Sequence, residues 1–156
     1  MLKECDIPRL AQLDLPQASN RSTPWTIVTS SRDSGAPPPE SPHAFNNLHK
    51  AGTKLLMGSD APVAPLDPWL AISASVFGTE SSDREPFQPE QCLDFETALA
   101  SSTAVGRVAL RDADAADLVL LDCDPSIIDS PEAMRAMPEH VLGTMLAGRW
   151  TYQQAE

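Results

Sequence analysis

No run of apolar residues in this chain approaches the roughly 18 that a membrane-crossing helix needs, and the N-terminal MLKECDIPRLAQLDL has no apolar core of a secretion signal. Basic residues are scarce: 11 Lys and Arg stand against 22 Asp and Glu, for a formal charge of −11. A chain so acidic, with no basic run, is repelled by nucleic acid and by anionic membranes, so neither is expected as a partner. Only three cysteines occur, Cys5, Cys92 and Cys123, widely spaced and without a CxxC pair. That excludes a disulfide framework and a cysteine zinc motif, and points to the cytoplasm. Histidine is equally sparse: His43, His49 and His140 form neither HxH nor HExxH.

What the chain does have is proline, 15 of them against one Tyr and four Phe, and they fall at boundaries. From about 16 to 42 the sequence (PQASNRSTPWTIVTSSRDSGAPPPESP) is dense in Ser, Thr and Pro. It is expected to be irregular, with Trp25, Ile27 and Val28 as the only short strand candidate. Beyond it, Ser41 and Pro42 read as an N-cap and first helical residue, and Ala44, Phe45, Leu48 and Ala51 share a face until Gly52, predicting a helix over 42–51. A short buried strand follows over 54–57. Asp67 then caps a helix over 68–77 that Gly78 stops, and Asp94 caps another over 95–102. Strands are predicted over 117–121 (in ADLVLLD), 141–146 and 149–152, the last two joined by a tight turn at Ala147-Gly148. Alternation of helices with short apolar strands indicates an α/β protein built on parallel pairing. The chain divides at about 103/104, into a segment over 1–103 and a β-rich segment over 104–156. Trp69 and Trp150 are assigned to the core.

Three acidic spots invite a chemical reading. Asp33-Ser34-Gly35-Ala36 matches the short core of aspartic proteases, whose carboxylates share a proton, but SSR precedes it where a hydrophobic strand is required, so turn composition explains it. Asp122-Cys123-Asp124 after LVLL resembles the strand end of haloacid-dehalogenase-like phosphotransferases. No lysine follows Asp124, so the partners that chemistry needs are absent and that reading fails. The three histidines read as ordinary surface or boundary residues, because zinc needs three or four converging ligands. Asp60 stands apart. In LLMGSDAPVAPLDPW a short apolar strand ends at Gly58-Ser59, small enough for a tight turn, and a carboxylate emerges at its tip, the place where loops on a rigid sheet carry catalytic groups.

Four ordered stretches, GSDAPVAPLDPW, FQPEQCLDFETALASST, ADLVLLDCDP and VLGTMLAGRW, together resemble the C-terminal part of the amidohydrolase superfamily. The closest branch is amidohydrolase family 3, the metal-dependent hydrolases similar to N-substituted formamide deformylases. The resemblance covers about residues 43–152. It implies the C-terminal portion of a TIM-like (β/α) barrel followed by strands of a small β-sandwich, and an enzyme that hydrolyses non-peptide C–N bonds in small amide, formamide or cyclic amide substrates. It implies that Asp60 is both the catalytic proton relay and a metal ligand at the last barrel strand. Ser59, Ala61, Pro62 and Val63 would then form a loop on the substrate pocket, in which Pro62, Pro65 and Pro68 lower the cost of ordering.

The same resemblance implies a divalent metal, zinc, in the full-length family member. Its other ligands, an HxH pair, a bridging lysine or acidic residue and two later histidines, do not occur here, so this chain is expected to be a fragment, the product of a mis-called reading frame or a degenerate relative, inactive alone and with no metal bound. A complementing N-terminal segment or a homo-oligomer would supply what is missing. The alternative expectation is a non-catalytic interaction domain derived from that family, whose exposed strand edges invite association.

Overall fold

The computed structural model describes residues 6–13, 17–19, 44–59, 61–103, 106, 108–112 and 114–155. Ser41, Pro42, His43, Asp60, the Asp33 motif and the Trp25 strand candidate lie outside these residues.

Three of the described helices begin where a side chain satisfies an orphaned backbone donor. Helix α1 (Ile7–Gln12) opens the described chain and packs beside α2 (Phe45–Lys50). Helix α3 (Pro68–Phe77) starts where the Asp67 carboxylate accepts the Trp69 amide, with Pro68 pre-set for the first turn, and it ends at Gly78 in the left-handed region. Helix α4 (Phe95–Ser101) starts at Asp94, which accepts both the amide and the hydroxyl of Thr97 at 2.8 Å. These two helices match their predicted spans to within a residue. A fifth helix, α5 (Pro131–Arg135), is capped by Ser130. Its Ser-Pro-Glu start carries the same local signal.

Strands form two separate sheets. The first pairs β1 (Gln17–Ser19) in parallel with β2 (Leu55–Met57), with Gln17 opposite Leu55. Gln17–Ser19 was expected to begin the irregular stretch; it is extended because its partner lies 38 positions along the chain, beyond any local pattern. The second sheet is antiparallel, ordered β3 (Leu118–Leu121), β4 (Val141–Leu146), β5 (Arg149–Gln153). Ala147 and Gly148 turn the β4–β5 hairpin with φ of +48° and +74°, the both-positive backbone of a type I′ turn. The chain is thus a mixed α/β segment with a three-stranded antiparallel sheet.

The core gathers Ile7, Phe45, Leu48, Leu55, Trp69, Ile72, Leu93, Ala98, Met134 and Met137. Burying each of Ile72, Met134 and Met137 contributes roughly 1.5–3 kcal/mol. Helix α3 is the central element: α4 and α5 both pack on it, Ser73 donates its hydroxyl to the Pro131 carbonyl at 3.2 Å, and Ser75 points its hydroxyl at Met57 of β2. The loop after α3 is tied to α5, because Glu132 accepts both the amide and the hydroxyl of Ser82 at 2.6 Å.

The antiparallel sheet is less covered than its composition suggests. Val119 in LVLL is 59% exposed and Trp150 is 45% exposed, so Trp150 is not a core residue. Its ring lies over Gly143 across the hairpin, where a Cβ would come within 2.7 Å of it. An apolar run marks a strand; whether a second layer lies against it is set by packing.

Candidate functional site

The tip of β2 was the sequence's first candidate. Leu55 is buried and holds the strand in the core, while Leu56 and Met57 are half-buried. Past Asp60, which is outside the described residues, Ala61 and Pro62 are exposed and Val63 is 75% exposed. Ser59 is half-buried. Two cavities are lined by the described residues. One, of about 680 Å³, has a mixed polar and apolar lining that includes His49, Lys54, Asp94, Thr97 and Arg111. The amide of Thr97 holds the Asp94 carboxyl below its usual range, and His49 adds to the effect. The other, of about 500 Å³, is mostly apolar and lies between α3, α4 and β3, against Trp69, Ile72, Leu99 and Val119. Neither is lined by Ser59, Ala61, Pro62 or Val63.

A different trio converges in the second sheet. A bulge between β3 and β4 makes it possible: Leu120 pairs with Gly143 but Leu121 pairs with Val141, so β4 carries one extra residue, Leu142. A bulge of this kind bends the strand and re-aims the next side chains. The Asp122 amide then donates to the His140 carbonyl at 3.1 Å, and the His140 ring Nδ1 lies 2.8 Å from Asp122 Oδ1. Two residues 18 apart in sequence are therefore held together twice, once by backbone and once by side chain. Cys123 completes the group, with one donor atom of each of the three residues within 4.8 Å of the others. Its sulfur lies 3.8 Å from that of buried Met137, which anchors the cluster to the core.

Asp124 does not join them. Its carboxylate caps the short turn over Pro125–Ile127 by accepting the Ser126 amide at 2.9 Å, and the Ser126 hydroxyl first, then this amide bond, lowers its pKa. Desolvation first, and then the carboxylates of Asp122 and Asp124, push the Cys123 thiol up. A thiol so placed is a poor nucleophile, since it is the thiolate that attacks.

Sequence reasoning took His140 for a boundary residue and set Cys123 aside. Nothing in local spacing joins them; the antiparallel pairing of ADLVLLD with VLGTML is the signal that could have, since it brings the end of one strand to the start of the other.

Residues 9–152 match the amidohydrolase family. The chain therefore belongs to the amidohydrolase family, a family of hydrolases, and within it to family 3. No curated protein and no solved structure matches the chain significantly. The family implies a small-molecule substrate and is generally metal-dependent, and no helix among the described residues is long and apolar enough to cross a membrane. Among the described residues, the one group of three or more metal-donor side chains is Asp122, Cys123 and His140. The residues described at the tip of β2 contribute no such group, and Asp60 lies outside them.

Proposed function

We propose that this chain is the C-terminal portion of an amidohydrolase of family 3 that cleaves a C–N bond in a small amide, formamide or cyclic amide, and that Asp60 is its catalytic carboxylate. In this reading the segment over 1–103 is the end of a TIM-like barrel and that over 104–156 returns to a small β-sandwich. Asp60, three residues past Met57 in the sequence, takes up the proton of the attacking water and passes it to the leaving nitrogen. Ser59, Ala61, Pro62 and Val63 form a wall of the substrate pocket. The histidine ligands of a metal come from a complementing segment, and without it the chain does not turn over substrate. The single observation that supports this reading is the family match over residues 9–152, which spans Asp60 and its loop.

The test joins this chain to an amidohydrolase segment that carries HxH and the later histidines. The hybrid is expected to hydrolyse a formamide or amide substrate. Asp60→Asn keeps size but removes the basic oxygen, and losing general acid/base help costs about 10²- to 10⁴-fold, seen in kcat more than in KM. Asp67→Asn is the control: it caps α3 through the Trp69 amide at 2.9 Å, and asparagine caps about as well, so activity persists. Equal loss at both positions, or full activity in Asp60→Asn, refutes the assignment.

A further inference from the structure

We propose that Asp122, Cys123 and His140 form a binding site for one divalent cation of the zinc class, at the corner where β3 ends and β4 begins. The site is independent of Asp60 and of the hydrolytic reading.

Donor chemistry is the first argument. Once an incoming ion displaces the Cys123 proton, a thiolate, an imidazole and a carboxylate together favour zinc: the sulfur and nitrogen discriminate against magnesium and calcium, and the carboxylate favours a divalent ion over copper(I). Geometry is the second. Tetrahedral zinc with bonds of about 2.0–2.3 Å sets its ligand atoms roughly 3.3–3.8 Å apart. The three donors already lie within 4.8 Å of one another, with the Asp122–His140 edge at 2.8 Å. These separations are already close to those that a common ion requires.

Preorganisation is the third argument. The bulge, the Asp122 amide bond to the His140 carbonyl and the contact of Cys123 with Met137 hold all three residues before any ion arrives. The side chains of His140 and Asp122 are 43% and 46% exposed, which gives the ion a path in and leaves a fourth position for water. Charge is the fourth: a second carboxylate, Asp124, is adjacent in sequence, and the whole chain carries −11, so the field draws cations. A bound ion would replace the His140–Asp122 hydrogen bond with two coordinate bonds and clamp the sheet to the helical core.

The experiment uses the full chain, stripped with chelator and titrated with Zn²⁺ alone by calorimetry, then with Co²⁺ alone by absorption spectroscopy. One equivalent should bind in the micromolar range or tighter, and Co²⁺ should give the near-ultraviolet band of thiolate-to-metal charge transfer. Cys123→Ser should abolish that band. His140→Gln and Asp122→Asn should each weaken binding by more than the ~10- to 100-fold that loss of an outer-shell partner costs, and Cys92→Ser should leave binding unchanged. A measurement without mutation guards against misfolded variants: saturating Zn²⁺ should slow alkylation of Cys123, mapped by mass spectrometry, and leave Cys92 as reactive as before. Failure to bind one equivalent, a Co²⁺ complex without the thiolate band, equal alkylation of Cys123 with and without Zn²⁺, or binding that survives Cys123→Ser but falls with Asp60→Asn would overturn the proposal.

Discussion

Gly78 closes the helix on which α4 and α5 pack, and replacing it with alanine tests that role quantitatively. At φ +63° and ψ 14° the backbone is left-handed, where a Cβ costs roughly 1–2 kcal/mol. The new methyl would stand 2.7 Å from Cys92 Sγ and 3.2 Å from the Phe87 carbonyl oxygen. The carbonyl cannot retreat freely, because the Phe87 amide is tied to the Gly78 carbonyl at 2.7 Å. Overpacking of this kind adds about 1–3 kcal/mol, for a total of roughly 2–5 kcal/mol against the 5–15 kcal/mol typical of a whole domain. Equilibrium urea unfolding, read at constant m, measures it. A double-mutant cycle separates the two parts: Cys92→Ala removes the sulfur, so Gly78→Ala in that background should recover about 1–2 kcal/mol of the steric cost while the backbone cost stays. A loss below about 0.5 kcal/mol, the scatter of a neutral surface change, or strict additivity of the two substitutions, would refute the reasoning.

Two further substitutions probe packing and charge. Met134 is 0% exposed at the α3–α5 contact, so Met134→Ala should destabilise by roughly 2–5 kcal/mol in the same urea assay, and a loss under about 1 kcal/mol would mean that α5 is not part of the core. The hydroxyl and amide of Ser82 lower the Glu132 carboxyl from 4.5 to about 2. A carboxyl with a depressed folded-state pKa stabilises above its unfolded value and loses that contribution as pH falls through the folded one. The gap in Tm between the natural chain and Glu132→Gln should therefore be full at neutral pH and close between pH 4.5 and about 2; a gap that does not change across that window would show that the Ser82 bonds do not favour the charged form.

Where the determinants were local, the sequence alone settled them. Asp67 and Asp94 cap helices through amides two and three residues away, Gly78 ends α3 at its own left-handed φ, and Ala147-Gly148 turns a hairpin within four residues, so each could be read off short spacings. Family membership was equally legible, because it rests on ordered short motifs. Tertiary structure alone decided the rest. Gln17–Ser19 is a strand because Leu55–Met57 lies beside it, and Trp150 stays half-exposed because Gly143 offers it a flat seat but no covering layer. Asp122, Cys123 and His140 meet because a one-residue bulge shifts β3 against β4. A hydrogen bond closed within one turn depends on a few dihedrals, which nearby residue types bias directly. A contact closed over 18 or 38 residues depends on the register and packing of whole elements, which no short stretch of sequence encodes by itself.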